Sequence, residues 1–231
     1  MSRQRRRRIV KARRTGTGLA LVAGISFLAG MTDAVGLMMT GDFVSFMTGN
    51  TTRAAISLAV GNYRHALTLL LAILLFVSGN ALGVIIAHIA PRRVFSVLAA
   101  VAIVIGLAAI LDAPSLALVQ FGLVVLSMGL VNAAVEHVEG LPIGLTYVTG
   151  ALSRFGRGIG RFLLGERRFD WWIQIVPWLG MVSGAICGAL TGRWMQPQAL
   201  AIVAILAMAL ALTTLIVPLH LQRRFGHRTA R

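Results

Sequence analysis

Acidic side chains are scarce in this sequence: 7 Asp and Glu stand against 22 Lys and Arg in 231 residues. Charged residues of both signs make up only 13% of the chain, too few to give a domain of this length a water-compatible surface. Cysteine is scarcer still. Cys187 is alone, which rules out an internal disulfide, and no CxxC or Cys/His spacing points to a metal. The chain has no HExxH pattern, no Walker loop, no nucleophile elbow and no Rossmann glycines. The expectation is a protein that is not an enzyme and carries no cofactor and no metal.

What is abundant is apolar, 57% of the residues, so the solvent for most of the surface is lipid. The basic residues are concentrated at the ends: eight precede Thr15, in SRQRRRRIVKARR, and four follow His220, in QRRFGHRTAR. No aromatic or folded module accompanies these arginines, so they read as topology signals flanking apolar spans and not as a nucleic-acid surface. Anionic lipid headgroups are their expected partner.

A spanning helix needs about 20 mostly apolar residues. Stretches that qualify run from Thr17 to Met39, Ala66 to Ala90, Val94 to Leu111, Ser115 to Val135, Trp171 to Leu190 and Ala199 to Leu219. The first follows a basic segment as a signal peptide would, but it carries Asp33 and lacks a small-x-small cleavage site, so it reads as a retained helix. Trp171 and Trp172 are placed as interfacial anchors. Two stretches fit less well: Phe43 to Val60 and Leu141 to Leu164 each contain a Thr-Gly step, hydroxyls and arginine. They read as short, broken or re-entrant elements, tolerated at depth only where protein or a wet cavity surrounds them. If both return to the side they left, six spans place 19 of the 22 basic residues on one side and leave Arg53, Arg64 and Arg193 on the other. An eight-span alternative separates the charges less cleanly and buries Arg53 within a span.

The two halves resemble each other. Gly30-Met31-Thr32-Asp33-Ala34 matches Gly129-Leu130-Val131-Asn132-Ala133; Phe46-Met47-Thr48-Gly49 matches Tyr147-Val148-Thr149-Gly150; Arg53 falls on Arg154; and Ser78-Gly79 with Gly83 matches Ser183-Gly184 with Gly188. Asn50 has no counterpart, since Ala151 follows the second Thr-Gly. Three spans per half make the second half enter the membrane from the opposite side, the inverted-repeat logic of many secondary transporters. The fold class expected is an all-α polytopic transmembrane bundle: a basic tail (1–16), a first membrane repeat (17–111), a second (115–220) and a second basic tail (221–231).

GMTDAVGLMMTGDFVSFMTGNTTR resembles the hallmark segment of the YoaK-like family of small bacterial membrane proteins, and GLVNAAVEHVEGLPIGLTYVTGALSRFGRG resembles its second signature. That resemblance implies an inner-membrane protein with about six spans and brings almost no biochemistry, because the family is one of unknown function. Its motif positions fall here on Asp33, Thr48, Gly49, Asn50 and Arg53 in the first half, and on Asn132, Thr149, Gly150 and Arg154 in the second.

These nine residues are the candidate substrate or ion site. Asp33 sits roughly 24 Å along the first helix from Thr17, in the outer part of the bilayer. An ionisable group there must face protein or water, and it reads either as a proton- or cation-coupling group or as an interhelical lock to Arg53. The Thr-Gly steps read as helix breaks that expose backbone amides to a polar ligand, or as packing kinks. Arg154, Arg157 and Arg161, continued by Arg168, make a basic amphipathic helix, a lipid anchor or a recruiter of anionic substrate. Gly180, Gly184 and Gly188, extended to Gly192, form a smooth helix face, with Gly79 and Gly83 a shorter version. The expectation is that these two faces pack on each other, a homo-oligomer contact being the alternative. Glu136, His137 and Glu139 read as a solvated helix end, and His65 as isolated.

Two functions compete: a small-molecule or ion permease of unknown substrate, and a non-transporting scaffold, regulator or lipid-organising protein. A polar cavity between the halves would favour the first, a glycine-lined external groove the second. The charge distribution also predicts that both termini lie in the cytoplasm and the Asp112 turn outside. Thiol-accessibility labelling in a background with Cys187 replaced checks this, and labelling of an introduced Asp112→Cys from the cytoplasmic side rejects the six-span topology.

Overall fold

A computed structural model describes residues 3–111, 113–134, 137–138, 141–142, 148–166 and 170–216. Eight helices follow in order: α1 (Arg3–Thr40), α2 (Met47–Ala59), α3 (Tyr63–Ile89), α4 (Arg93–Ile110), α5 (Ala117–Asn132), α6 (Val148–Leu163), α7 (Ile175–Trp194) and α8 (Ala199–Ile216). Short 3-10 turns precede α5, α7 and α8, and the backbone pairs His137 with Pro142 and Val138 with Leu141 between α5 and α6. The backbone of the basic N-terminal segment is helical and continuous with α1.

Six helical stretches are long and apolar enough to cross a membrane: Gly16–Thr40, Tyr63–Ile89, Arg93–Ile110, Pro114–Asn132, Trp171–Trp194 and Ala199–Ile216. The two odd stretches become α2 and α6. With 13 residues α2 is about 20 Å long, short of a hydrocarbon core of about 30 Å. α6 has 16 residues and keeps its arginines. The breaks around α2 are local: Gly41 and Gly61 adopt left-handed φ values of 76° and 78°, and the Asn62 side chain accepts from the His65 amide to start α3. Three spans separate the end of α1 from the end of α5. These two ends therefore face opposite sides, and α2 and α6 with them.

The core is aliphatic. Val22, Ile25 and Leu28 of α1 meet Val97, Val101 and Ile105 of α4, Val125 and Met128 of α5, and Val203 and Ala207 of α8 in one buried cluster. Around it the helices pair in a pattern that the sequence expectation did not give. The glycine faces of α3 and α7 do not pack on each other. Gly180, Gly184 and Gly188 of α7 lie on α1, where a Cβ would strike the carbonyls of Ala23, Phe27 and Met31. Gly79 and Gly83 of α3 lie on α5, where a Cβ would strike the carbonyls of Leu126 and Leu130. The reason is geometric: glycines on both members of each pair, Gly30 on α1 with Gly184 on α7 and Gly129 on α5 with Gly79 on α3, let the two backbones meet.

These contacts repeat within the molecule, residue for residue. Gly30 abuts the Met181 carbonyl and Gly129 the Phe76 carbonyl; Gly184 abuts Phe27 and Gly79 abuts Leu126; Gly188 abuts Met31 and Gly83 abuts Leu130. On the first span of each half the partners are 99 positions apart, and on the second span 105, the offsets at which the two half-sequences match. The α1–α7 pair thus corresponds to the α5–α3 pair, while α4 and α8, the third spans, pack on each other. The main partners of α1, which are α7, α8 and α5, all belong to the second half, and those of α5, which are α3, α4 and α1, to the first. The halves are interleaved.

Sequence position also suggests that Leu200 opens α8 toward lipid, whereas it is buried. Ile205, 68% exposed, is a lipid-facing residue of that helix. Because a leucine side chain cannot fit where a carbonyl already sits, Gly184→Leu and Gly79→Leu are each expected to lower the melting temperature in detergent by about 5 °C or more, and Ile205→Ala by much less. Wild-type melting of both glycine variants would show that these faces meet only lipid.

Candidate functional site

Buried polar side chains are few among the described residues, and four of the nine gather at one place. Asp42, Ser45, Asn50 and Ser57 are all buried within the turn of chain from the end of α1 through α2 to the start of α3. Gly41 terminates α1, its amide donating to the Leu37 carbonyl at 2.8 Å, and residues 42–46 then fold back against α1. Asp33, about two turns earlier on α1, reaches that segment: its Oδ1 accepts from the amides of Val44 at 3.2 Å and Ser45 at 3.0 Å. From the other side, Asn50 Nδ2 donates to the Phe43 carbonyl at 2.7 Å. The carbonyl of Phe43 and the amide of Val44 belong to one peptide unit, so Asp33 and Asn50 grip the same peptide from its two edges.

The orientation of Asn50 is set by that bond, since a flipped amide would put oxygen against oxygen. Its Oδ1 then points into the packed interior with no hydrogen-bond donor among the described residues, and the residue is 0% exposed. Leaving a buried amide oxygen unpaired costs about 1–3 kcal/mol. Few such atoms survive in native proteins without a reason.

Asp42 anchors a second network. It pairs with Arg53 Nη1 at 3.0 Å and with His65 Nε2 at 3.1 Å, while His65 Nδ1 lies 3.0 Å from Ser57 Oγ. Arg53 Nη1 also donates to the Gly41 carbonyl at 2.6 Å. The expected Asp33–Arg53 lock is therefore not formed. Arg53 comes from α2 on the far side of the 41–46 segment and meets the nearer carboxylate, Asp42. Nor is His65 isolated: it bridges α2 and the Asp42 turn. Ser57, His65 and Asp42 match a hydrolytic triad in composition, yet Ser57 is buried in the last turn of α2 against α3, and a nucleophile must be reachable.

The remaining candidates divide. Thr48 is exposed on the first turn of α2, and Gly49 packs under Phe46 and Phe43. At the opposite end, Asn132 Nδ2 donates to the Met128 carbonyl of its own helix at 3.1 Å. Arg154 Nε donates to Gln174 Oε1 at 2.9 Å, and the Arg154 guanidinium folds back toward Gly150; Thr149 is exposed. Trp171, expected as a lipid anchor, packs on α6 against Phe155, Phe162 and Gly158, whereas Trp172 is half-exposed. The two Thr-Gly elements thus lie at opposite ends of the bundle and build no single central site. Glu136, Glu139 and Arg168 lie outside the described residues, as does the side chain of His137.

A family model for a protein of unknown function, DUF1275, matches residues 21–213. The chain belongs to the DUF1275 family. A UPF0700 transmembrane protein of Rhizobium meliloti (strain 1021), RA0705, is 51% identical over 227 residues, covering 97% of this chain and 98% of that relative. No solved structure matches. Membership of DUF1275, with six apolar spans, makes this a multi-pass membrane protein of an uncharacterised family and agrees with the resemblance carried by the two signature segments.

Within this DUF1275 protein, Asp42, Ser45, Ser57 and His65 are the site residues that the motif reading missed. One signal pointed to Asp42: with 7 acidic residues in the whole chain, it and Asp33 are the only two before Asp112. Because the 41–46 segment needs an acceptor at position 33 and not a charge, Asp33→Asn should melt within a few degrees of wild type. Asp33→Leu strands the amides of Val44 and Ser45 and should melt lower by about 5 °C or more. Equal losses in the two variants would show that charge, and not hydrogen bonding, holds the segment.

Proposed function

We propose that this protein is a small permease of the bacterial cytoplasmic membrane, with both termini in the cytoplasm, moving a small molecule or ion. The observation that carries the reading is the residue-for-residue repetition of the α1–α7 contacts in α5–α3, across halves that enter the membrane from opposite sides. Two interleaved, oppositely oriented copies of one packing unit supply the element that alternating access requires: two related arrangements of the same scaffold about a fixed point. The polar network joining α1, α2 and α3 is the ligand end of this reading, since ionisable groups near a span end are retained for a task.

The scaffold alternative drew support from glycine faces open to a partner. Those faces are filled within the molecule, so that support is gone. The basic segments, including Arg154, Arg157 and Arg161 on α6, meet anionic headgroups on the cytoplasmic side under this topology.

A thermal-stabilisation screen of the purified protein across metabolite and ion classes, followed by uptake of each hit into proteoliposomes with and without a proton or sodium gradient, tests the proposal. The expected result is gradient-dependent uptake of at least one hit that Asp33→Asn uncouples from the gradient. Stabilising ligands that never cross the membrane would leave the scaffold reading in its place.

A further inference from the structure

The Asp42 network joins two units of the fold. Asp42 follows α1, which packs on α7, and His65 lies in the first turn of α3, which packs on α5. Their contact ties one glycine-sealed pair to the other. It is made by the one type of side chain whose charge ordinarily changes within the physiological range of pH.

The hydrogen bonds assign the state of the ring. His65 Nε2 lies 3.1 Å from both oxygens of Asp42, and a carboxylate paired with Arg53 is ionised and only accepts. Nε2 therefore carries a hydrogen. In the neutral ring Nδ1 is then an acceptor, and the Ser57 hydroxyl, 3.0 Å away, donates to it. When a proton binds at Nδ1 the hydroxyl reverses: its oxygen accepts, and its hydrogen turns to a carbonyl of the preceding turn of α2, as serine hydroxyls do in helices. Both states are fully bonded, and uptake itself needs no cavity. The His65 side chain is 31% exposed, so water reaches the ring.

The charge of the cluster moves in one direction. Asp33 and Asp42 face Arg53 alone when the ring is neutral, which leaves one negative charge unbalanced; a proton on His65 brings the sum to zero. The other charged and titratable groups of the packed elements stand aside. Tyr63 and Arg64 are exposed, and Arg193 of α7 is exposed and stacks on Trp194. Residues 94–111, 113–132 and 199–216, which contain α4 beyond Arg93, α5 and α8, hold no titratable side chain. The first turn of α3 is the positive end of its dipole, so a charged ring there depends on the carboxylates.

The second half serves as an internal control. At the offsets that match Asp33 to Asn132 and Arg53 to Arg154, Asp42 falls among Leu141, Pro142 and Ile143 and Ser57 on Gly158, and no histidine lies between 159 and 216. The glycine contacts repeat without this chain of hydrogen bonds, so helix packing does not require it.

We propose that His65 is a proton-binding site of this protein, taking up one proton between Asp42 and Ser57 and so drawing the end of α1 toward the start of α3. The pull arises because a charge-assisted hydrogen bond is shorter and about twice as strong as a neutral one. As the coupling event of transport this rests on the permease reading; proton binding and the movement do not. The test measures the distance between spin labels at Leu67→Cys on α3 and Leu190→Cys on α7, both exposed, in the purified full chain with Cys187→Ser. From about pH 8 to about pH 5 the distance is expected to shorten by about 1–2 Å. His65→Gln should hold the high-pH distance throughout, and His65→Lys, charged throughout, the low-pH distance. Ring nitrogen resonances of the histidine-labelled chain, with His65 assigned by its loss in His65→Gln, should show the Nε2–H form at high pH and both nitrogens protonated at low pH. A distance independent of pH, a change that persists in His65→Gln, a His65→Lys variant that stays at the high-pH distance, or a His65 ring that does not change state overturns the proposal. Neither measurement uses a transported ligand, so an uptake screen without flux rejects the permease and keeps the proton site. Uptake by His65→Gln with the wild-type dependence on a proton gradient does the reverse for coupling: it removes His65 from transport and keeps the permease.

Discussion

Inside a bilayer there is no hydrophobic drive to bring one helix to another, because lipid tails are as apolar as leucine. What remains is close contact, and here it is made by backbone on backbone. At Gly30, Gly184 and Gly188 along α1–α7, and at Gly79, Gly83 and Gly129 along α3–α5, a Cβ atom would fall on a carbonyl of the facing helix. Dispersion between closely apposed main chains is individually small and collectively large, and a gap of about one ångström forfeits roughly half of it. The positions of the other helices follow from these two pairs. α4 and α8 pack on each other beside these pairs, and α2 and α6 hang from the ends of α1 and α5.

That framework is nearly symmetric, and its polar equipment is not. One end carries two acids, an arginine, a histidine and a buried amide, knitted around residues 41–46. At the other end the matching asparagine bonds to its own helix and the matching arginine to Gln174. A scaffold used twice, with a carboxylate network described at one of its two ends, separates two demands that usually conflict. Packing is met by glycine and aliphatic residues in both copies, and the buried Asp42 network lies in a segment outside those helix seams.

The six spans are legible in the sequence because length and the near absence of charge suffice to define them, and the duplication because its matches fall in order. The pairing of helices is not legible. A helix that is apolar all round shows no preferred side, so the face of Gly180, Gly184 and Gly188 announces a neighbour without naming it. The site is half legible. Asp33, Asn50 and Arg53 stand out by type and motif, but their partners are chosen by a turn at Gly41 whose left-handed backbone sends Asp42, not Asp33, to the arginine. Asn132 and Arg154 match Asp33 and Arg53 in sequence yet sit at the far end of the molecule, since an odd number of spans per half inverts the second copy.

The interleaving of the halves has a consequence for how the chain is made. The ribosome delivers α1 to the membrane long before α7, and α3 before α5, and within the first half the main partner of α1 is absent. The nascent first half therefore waits in lipid with the ridge of α1 and the groove of α3 uncovered, and neither is sealed until the second half arrives. Assembly is completed in order: α5 reaches α3 first, and α1 is covered only when α7 follows. A chain truncated after Ile110 would leave an insertion intermediate open to quality-control proteases, and not a smaller working module.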